Sequence, residues 1–194
     1  MSDYELSDEV LIKKFQDGDI SAYNQIVYRY KDRLLNFIYR FLNDLDRSED
    51  LVQDTLLKLY THKDSYQEIA KFSTWLYTIA ANMARTELRK LKRRKTFSVT
   101  ELSYEDREFI ISSSDADPSD DHLSQNFEKN VQQALLALPD DFKTIIILRD
   151  IQELSYDDIS KIVELPLGTV KSRINRGRLK LQQLLKRKGE NPAE

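Results

Sequence analysis

The sequence has 194 residues, enough for one domain of ordinary size or two small ones. Four Gly, four Pro and 40% hydrophobic residues suit packed helices and suit neither a disordered nor a β-rich chain. The absence of cysteine excludes disulfides, cysteine-ligated zinc and thiol nucleophiles, and no run of about 18 apolar residues is available to span a membrane.

The acidic, polar start MSDYELSDEV does not read as a secretory signal, so a cytoplasmic protein is expected. A first helix begins at Ser7 or Asp8 and runs to about Gln16, where Gly18 breaks it. Asp19 or Ser21 can cap the next helix by accepting from its free backbone amides. Tyr23, Ile26, Val27, Tyr30, Leu34, Phe37, Ile38 and Phe41 then recur at helical spacing, an apolar stripe that reads as core. Asn43 to Asp46 interrupt it, and Asp46 with Glu49 can cap a third helix through Tyr60. Leu51, Val52, Thr55, Leu56 and Leu59 form its inner face, with Asp50, Gln53, Asp54 and Lys58 outward. A polar turn over 61–71 precedes a helix starting near Ser73 or Thr74, with Trp75, Leu76, Ile79, Ala80 and Met83 inward. That helix ends in a basic run up to Lys95.

The net charge of −3 hides a strong segregation. Arg85 to Lys95 holds seven basic residues and one acidic, Thr96 to Asn126 eight acidic and one Arg, and Lys161 to Lys188 nine basic and one acidic. Two basic blocks, each closing a helical unit, suggest two surfaces for a polyanion. The acid-rich stretch has no helical period and little apolar area to offset the entropy of ordering, so it reads as a flexible linker. The expected organisation is all-α: a helical domain over 1–95, a flexible acidic linker over 96–124 and a second helical domain over 125–194.

In the second domain Phe127, Val131, Ala134, Leu135 and Leu138 mark a helix stopped by Pro139. Asp140 or Asp141 can cap another, carrying Phe142, Ile145, Ile146 and Leu148. Ser155 and Asp158 form a capping box for a short helix with Ile159, Ile162 and Val163 apolar. Glu164 to Pro166 form a turn, since proline lacks an amide proton and disfavours helix at the residue before it. A second helix starts around Gly168 or Thr169, with Val170, Ile174, Leu181, Leu184 and Leu185 inward. Lys171, Ser172, Arg173, Asn175, Arg176 and Arg178 fall on or near its exposed side. This is a helix-turn-helix pattern: the second helix fits the major groove, where Arg can read guanine with two hydrogen bonds. The bland alternative is an αα-hairpin with a solvated basic face.

The string LSYDDISKIVELPLGTVKSRINRGRLKLQQLL resembles region 4 of extracytoplasmic-function (ECF) sigma factors. FQDGDISAYNQIVYRYKDRL resembles region 2.1, SEDLVQDTLLKLY region 2.2, and FSTWLYTIAANMARTELRK regions 2.3 and 2.4. Ser48 departs from the Ala common in the family. The resemblance implies a protein that binds core RNA polymerase and directs promoter-specific initiation. It implies −35 contacts from Lys171, Ser172, Arg173, Asn175, Arg176 and Arg178, and −10 contacts from Lys63, Ser73, Asn82, Arg85 and Arg89. Asp50, Gln53 and Asp54 would dock on the β′ clamp helices, with the β subunit a further contact. The linker would thread toward the RNA exit path, and an anti-sigma factor is the protein partner that the resemblance implies.

Melting needs no chemistry from the chain, only a pocket for a base taken from the stack, and the turn over 61–72 is the obvious place. Trp75 could stack there, although its spacing to Ile79 and Met83 fits core better. No enzyme, cofactor or metal site is expected: no carboxylate joins a nucleophile, ligand set or phosphate loop, and His62 and His122 lie far apart. A classical regulator would need a sensory domain or a dimer interface, and no receiver-like alternation of strands and helices precedes the helix-turn-helix. An RNA-binding helical protein fits the charge but carries no familiar signature.

Overall fold

A computed structural model describes residues 6–101 and 120–189, with side chains at 6–94 and 126–187. The described residues contain helices and no strand. The first module comprises α1 (Asp8–Gln16), α2 (Ile20–Leu42), α3 (Leu45–Thr61), a 3-10 turn (Lys63–Ser65) and α4 (Phe72–Glu101). The second comprises α5 (Asp120–Ala137), α6 (Asp140–Ile146), a π-helical turn (Ile147–Ile151), α7 (Tyr156–Val163) and α8 (Leu167–Gly189). The stretch from 102 to 119, most of the predicted linker, lies outside the described residues.

Local chemistry sets most helix ends. Ser7 accepts from Val10 N at 3.3 Å, and Asp19 accepts from Ser21 N at 2.8 Å and Ala22 N at 3.3 Å. Each satisfies donors that an α-helix leaves free at its start. Gly18, at φ +102°, makes the reversal between α1 and α2, a conformation that L side chains rarely adopt. Asn43 closes α2 in the left-handed region at φ 52°. The cap of α3 is Asp44, which accepts from Arg47 N at 3.1 Å, and not the Asp46 that spacing favours. Asp46 instead lies in the first helical turn. Neither Asp140 nor Asp141 caps α6: Pro139 holds that position with no side-chain bond, and its carbonyl accepts from Phe142 N and Lys143 N.

The α2 stripe is core, with Ile26, Tyr30, Leu34, Phe37, Ile38 and Phe41 buried and Tyr23 and Val27 half-buried. Each fully buried large apolar side chain contributes about 1.5–3 kcal/mol. Rings interlock edge to face, Phe37 against Phe41 at 5.1 Å and against Tyr77 at 5.2 Å. On α4 Phe72, Thr74, Leu76, Tyr77, Ala80, Ala81, Ala84 and Leu88 are buried, while Trp75, Ile79 and Met83 are half-buried. The buried face is therefore turned from the expected one, because α4 packs on the first module and on α7. Phe127, expected inside α5, is 66% exposed.

α1 braces the turn that follows α3. Asp8 accepts from the Tyr30 hydroxyl at 2.5 Å and from Arg29 at 2.7 Å, fixing α1 on α2. Gln16 Nε2 donates to the carbonyls of Lys63 at 2.8 Å and Tyr66 at 3.1 Å. Phe72 N donates to Glu9 Oε1 at 3.2 Å, so an α1 carboxylate satisfies the first amide of α4.

Candidate nucleic-acid interface

α7 and α8 form the helix-turn-helix. Ser155 caps α7, accepting from Asp158 N at 3.1 Å. The reciprocal half of the box differs from the expected one: the Asp158 carboxylate accepts from the Ser155 hydroxyl at 2.5 Å. Glu164, at φ 55°, ends α7 in the left-handed region, and the Ser160 hydroxyl donates to Leu165 O at 2.5 Å across the turn. α8 begins at Leu167, directly after Pro166.

Val170, Ile174 and Gly177 of α8 are buried. At 3.6 residues per turn this places Ser172, Asn175 and Arg176 on the opposite side. All three are exposed, as are Lys171 and Arg178, while Arg173 is half-buried. Arg173 and Arg178 occupy the two edges of this face, each held by a carboxylate. Arg173 pairs with Asp141 at 3.2 Å, and Arg178 forms a two-pronged ion pair with Asp150. The Asp150 hydrogen bond raises the guanidinium pKa of Arg178, against the opposing effect of desolvation. The Ser172 hydroxyl donates back to Thr169 O at 3.0 Å, which aims its lone pairs outward. The six predicted α8 residues thus share one continuous surface.

On the first module, Asn82, Arg85 and Arg89 lie at helical spacing along α4. Asn82 and Arg89 are exposed and Arg85 is half-buried. Arg85 is positioned by bonds from Nε to Ala81 O at 3.3 Å and from Nη2 to Asn82 Oδ1 at 3.2 Å. Burial lowers its pKa, as does Arg89, while Glu164 and Asp141 oppose the shift. Ser73, half-buried, sits at the start of the same helix. Lys63 departs from this group. Its ammonium donates to Phe15 O at 2.8 Å and Gln16 O at 3.3 Å and lies over the Phe15 ring, closing the end of α1.

Asn82 lines two adjoining cavities. One, of about 250 Å³, is bounded by Lys58, His62, Ser65, Trp75 and Ile79; the other, of about 270 Å³, by Asp54, Lys58, Met83, Thr86 and Lys90. Trp75 packs on Tyr66 and Phe72 and also lines the first cavity. The sequence marks the turn over 61–72, which holds His62 and Ser65, as the place for a pocket; Lys58, outward on α3, joins them at this hollow because α3 packs against α4.

Asp50, Gln53 and Asp54 are exposed on one face of α3. Leu57, 58% exposed, continues that face one turn on and was not expected there. The signal was present: its spacing of seven from Asp50 and four from Gln53 departs from the inner stripe.

These modules correspond to known ones. Residues 26–94 match the model of sigma-70 region 2, and residues 128–181 that of sigma-70 region 4. The chain is 37% identical over 178 residues to the ECF RNA polymerase sigma factor SigW of Bacillus subtilis, covering 90% of this chain and 95% of that one. It is 34% identical over 189 residues to the ECF RNA polymerase sigma-E factor of Escherichia coli, covering 94% and 98%. Its fold matches that of the sigma factor RpoE in complex with the anti-sigma factor NepR from Bartonella quintana (TM-score 0.61, 29% identity, 84% of this chain and 96% of that one). The same fold occurs in CnrH, solved in complex with the cytosolic domain of CnrY (TM-score 0.70, 22% identity, 92% and 97%). Among the described residues no helix is long and apolar enough to cross a membrane. The chain belongs to the ECF RNA polymerase sigma factors, initiation factors that work with core RNA polymerase.

Proposed function

We propose that this chain docks on core RNA polymerase through the outward face of α3, reads a −35 element with α8, and opens and holds a −10 element with α4 and the turn before it. One observation carries the reading: two polar, basic helix faces lie on two separate modules, each built so that its apolar side is buried beneath. In this reading Lys171, Ser172, Asn175 and Arg176 enter the major groove, with Arg173 and Arg178 at the edges positioned for phosphates or base edges. Asn82 and the hollow beside Trp75 receive an unstacked −10 base, and Arg85 and Arg89 hold the neighbouring phosphates. Ser73 borders that strand, and Lys63 acts indirectly, by fixing the turn. Asp50, Gln53 and Asp54 engage the β′ clamp helices, with Leu57 adding apolar contact.

The modules at 1–95 and 125–194 act as separate grips. The acidic segment 96–124 connects them and lies along a basic channel toward the RNA exit path, its eight carboxylates keeping it off DNA. The chain has no catalytic step of its own and works in the cytoplasm beside polymerase. Similar sigma factors solved with anti-sigma factors support a protein partner of that kind here.

Run-off transcription with core polymerase on a promoter library tests the reading. Transcripts should arise only from templates that share two elements at fixed spacing. Core binding without initiation on any template would overturn it. Asn82→Ala should slow open-complex formation about tenfold while sparing −35 selection.

A further inference from the structure

The two carboxylate-held arginines of α8 are held differently. Arg178 donates from Nε to Asp150 Oδ2 at 3.1 Å and from Nη2 to Asp150 Oδ1, so both carboxylate oxygens meet one side of its guanidinium. Arg173, on the opposite edge, pairs with Asp141, whose side chain is 73% exposed; that of Asp150 is 31% exposed. A two-pronged pair fixes orientation as well as distance. Asp150 takes the Nε side of the fork, which leaves the end-on edge, with one N–H from Nη1 and one from Nη2, available for a second anion.

The carboxylate is itself anchored. Asp150 lies in the π-helical turn, where Gln152 N donates to Ile147 O and Leu154 N to Leu148 O, both at 3.0 Å. Its neighbour Arg149 donates to Leu154 O at 2.8 Å and lies over the Tyr156 ring at 4.7 Å. Ile147 and Leu148 are buried. The segment between α6 and α7 is therefore tied at both ends, and the long Arg178 side chain must come to Asp150. Position selects the ligand. Arg178 lies about 16 Å along α8 from Leu167, beyond Lys171 to Arg176 and at the edge of the exposed face. A helix seated in a groove about 12 Å wide meets the phosphate backbone there.

We infer that Asp150 is a positioning residue for DNA: it presents the open edge of the Arg178 guanidinium to a backbone phosphate and so sets the register of α8 in the groove. The inference rests on the reading of α8 as the −35 helix. A phosphate carries no sequence information, but a fixed register lets the residues before Arg178 reach base edges. The entropy of ordering a long side chain is met in folding instead of on DNA. Asp150 also repels DNA, and the two effects separate cleanly. Repulsion acts on every duplex alike, whereas positioning acts only on a duplex in register.

Holoenzyme formed from the full chain is titrated with a promoter duplex recovered from the library and with the same duplex carrying a scrambled −35 element. Asp150→Asn removes the charge at nearly constant shape. It should bind the scrambled duplex at least as tightly as the parent does, while preference for the intact duplex falls about 3- to 10-fold. Arg178→Lys keeps the charge without the fork and should lose the same preference. In an Arg178→Ala background, which lowers the salt slope by about one, Asp150→Asn should leave the remaining preference unchanged. Equal gains on both duplexes in Asp150→Asn, or an additive loss in the Arg178→Ala background, would reduce Asp150 to a repelling charge and overturn the inference. Should Asp150→Asn disturb the helical circular dichroism, Arg178→Lys decides alone, and full preference in that variant overturns the inference. A parent holoenzyme indifferent to the −35 element would sink the reading of α8 together with it; a preference that the variants leave intact sinks only the role of Asp150.

Discussion

Arg173 of the second helix of the helix-turn-helix reaches back to Asp141 of α6, 3.2 Å away, and so is held along one edge of the surface that the same helix presents to solvent. An exposed ion pair of this kind is worth at most about 1 kcal/mol, so DNA competes readily for the guanidinium. The pair keeps an otherwise mobile side chain extended along the edge of α8.

Arg173→Ala should weaken discrimination at the −35 element by about 1–3 kcal/mol, or roughly 5- to 150-fold, and leave core binding intact. Transcription from −35 variants, alongside a polymerase pull-down, measures both. Loss of polymerase binding in this variant would show that the second module has been given the wrong role.

Charge reversal at the exposed Asp54 should have the complementary effect. Asp54→Lys should lower core affinity about tenfold, and DNA binding by α8 should stay unchanged. Titration of core polymerase and a DNA shift assay separate the two outcomes.

Gly177 lies where α8 crosses α6. A Cβ there would meet Ile146 Cγ1 at 3.0 Å and Cδ1 at 3.2 Å. Gly177→Leu should destabilise the second module by about 1–3 kcal/mol through overpacking. Chemical denaturation should show the loss, while the first module's ring cluster around Phe37 keeps its fluorescence and dichroism.

Asp158 links pH to the stability of the fold. Burial pushes its pKa up, but hydrogen bonds from Ser155, Thr74 and Lys71, together with the Lys71 charge, outweigh burial and hold it below its ordinary 3.8. The unfolded chain therefore binds the proton at Asp158 more readily than the folded one. The stabilisation is complete above about 3.8 and fades as pH falls through the lower, native value. Asp158→Asn should make the acid transition shallower in this range, as followed by circular dichroism from pH 6 to pH 2. An identical transition in the parent and the variant would count against the linkage.

Much of this architecture was legible in the sequence, for identifiable reasons. The α2 stripe, the Ser155 cap and the turn before Pro166 depend on local periodicity and backbone chemistry, which the sequence carries directly. The cap of α3 was misread because Asp44 and Asp46 are chemically alike and only the incoming chain direction after Asn43 chooses between them. The buried face of α4 was read one register off because the covering partner, α7, lies some 80 residues away in sequence. The exposed polar face of α8 could be read from residues on one helix. The hollow beside Asn82 draws on the turn over 61–72 that the sequence singles out, but its full lining needs α3, the 3-10 turn and α4 together. Lys63 was expected toward DNA, yet the end of α1 draws it inward through two carbonyls.

The buttress formed by α1 sets where a working fragment must begin. The segment matching sigma-70 region 2 starts at residue 26, downstream of Asp8, Glu9 and Gln16. A fragment trimmed to that boundary would keep α3 and α4 but strip the turn between them of its anchors at Lys63 O, Tyr66 O and Phe72 N. Such a fragment should still dock on polymerase while failing to stabilise separated strands, so the smallest piece able to melt DNA is longer than the one that family resemblance delimits.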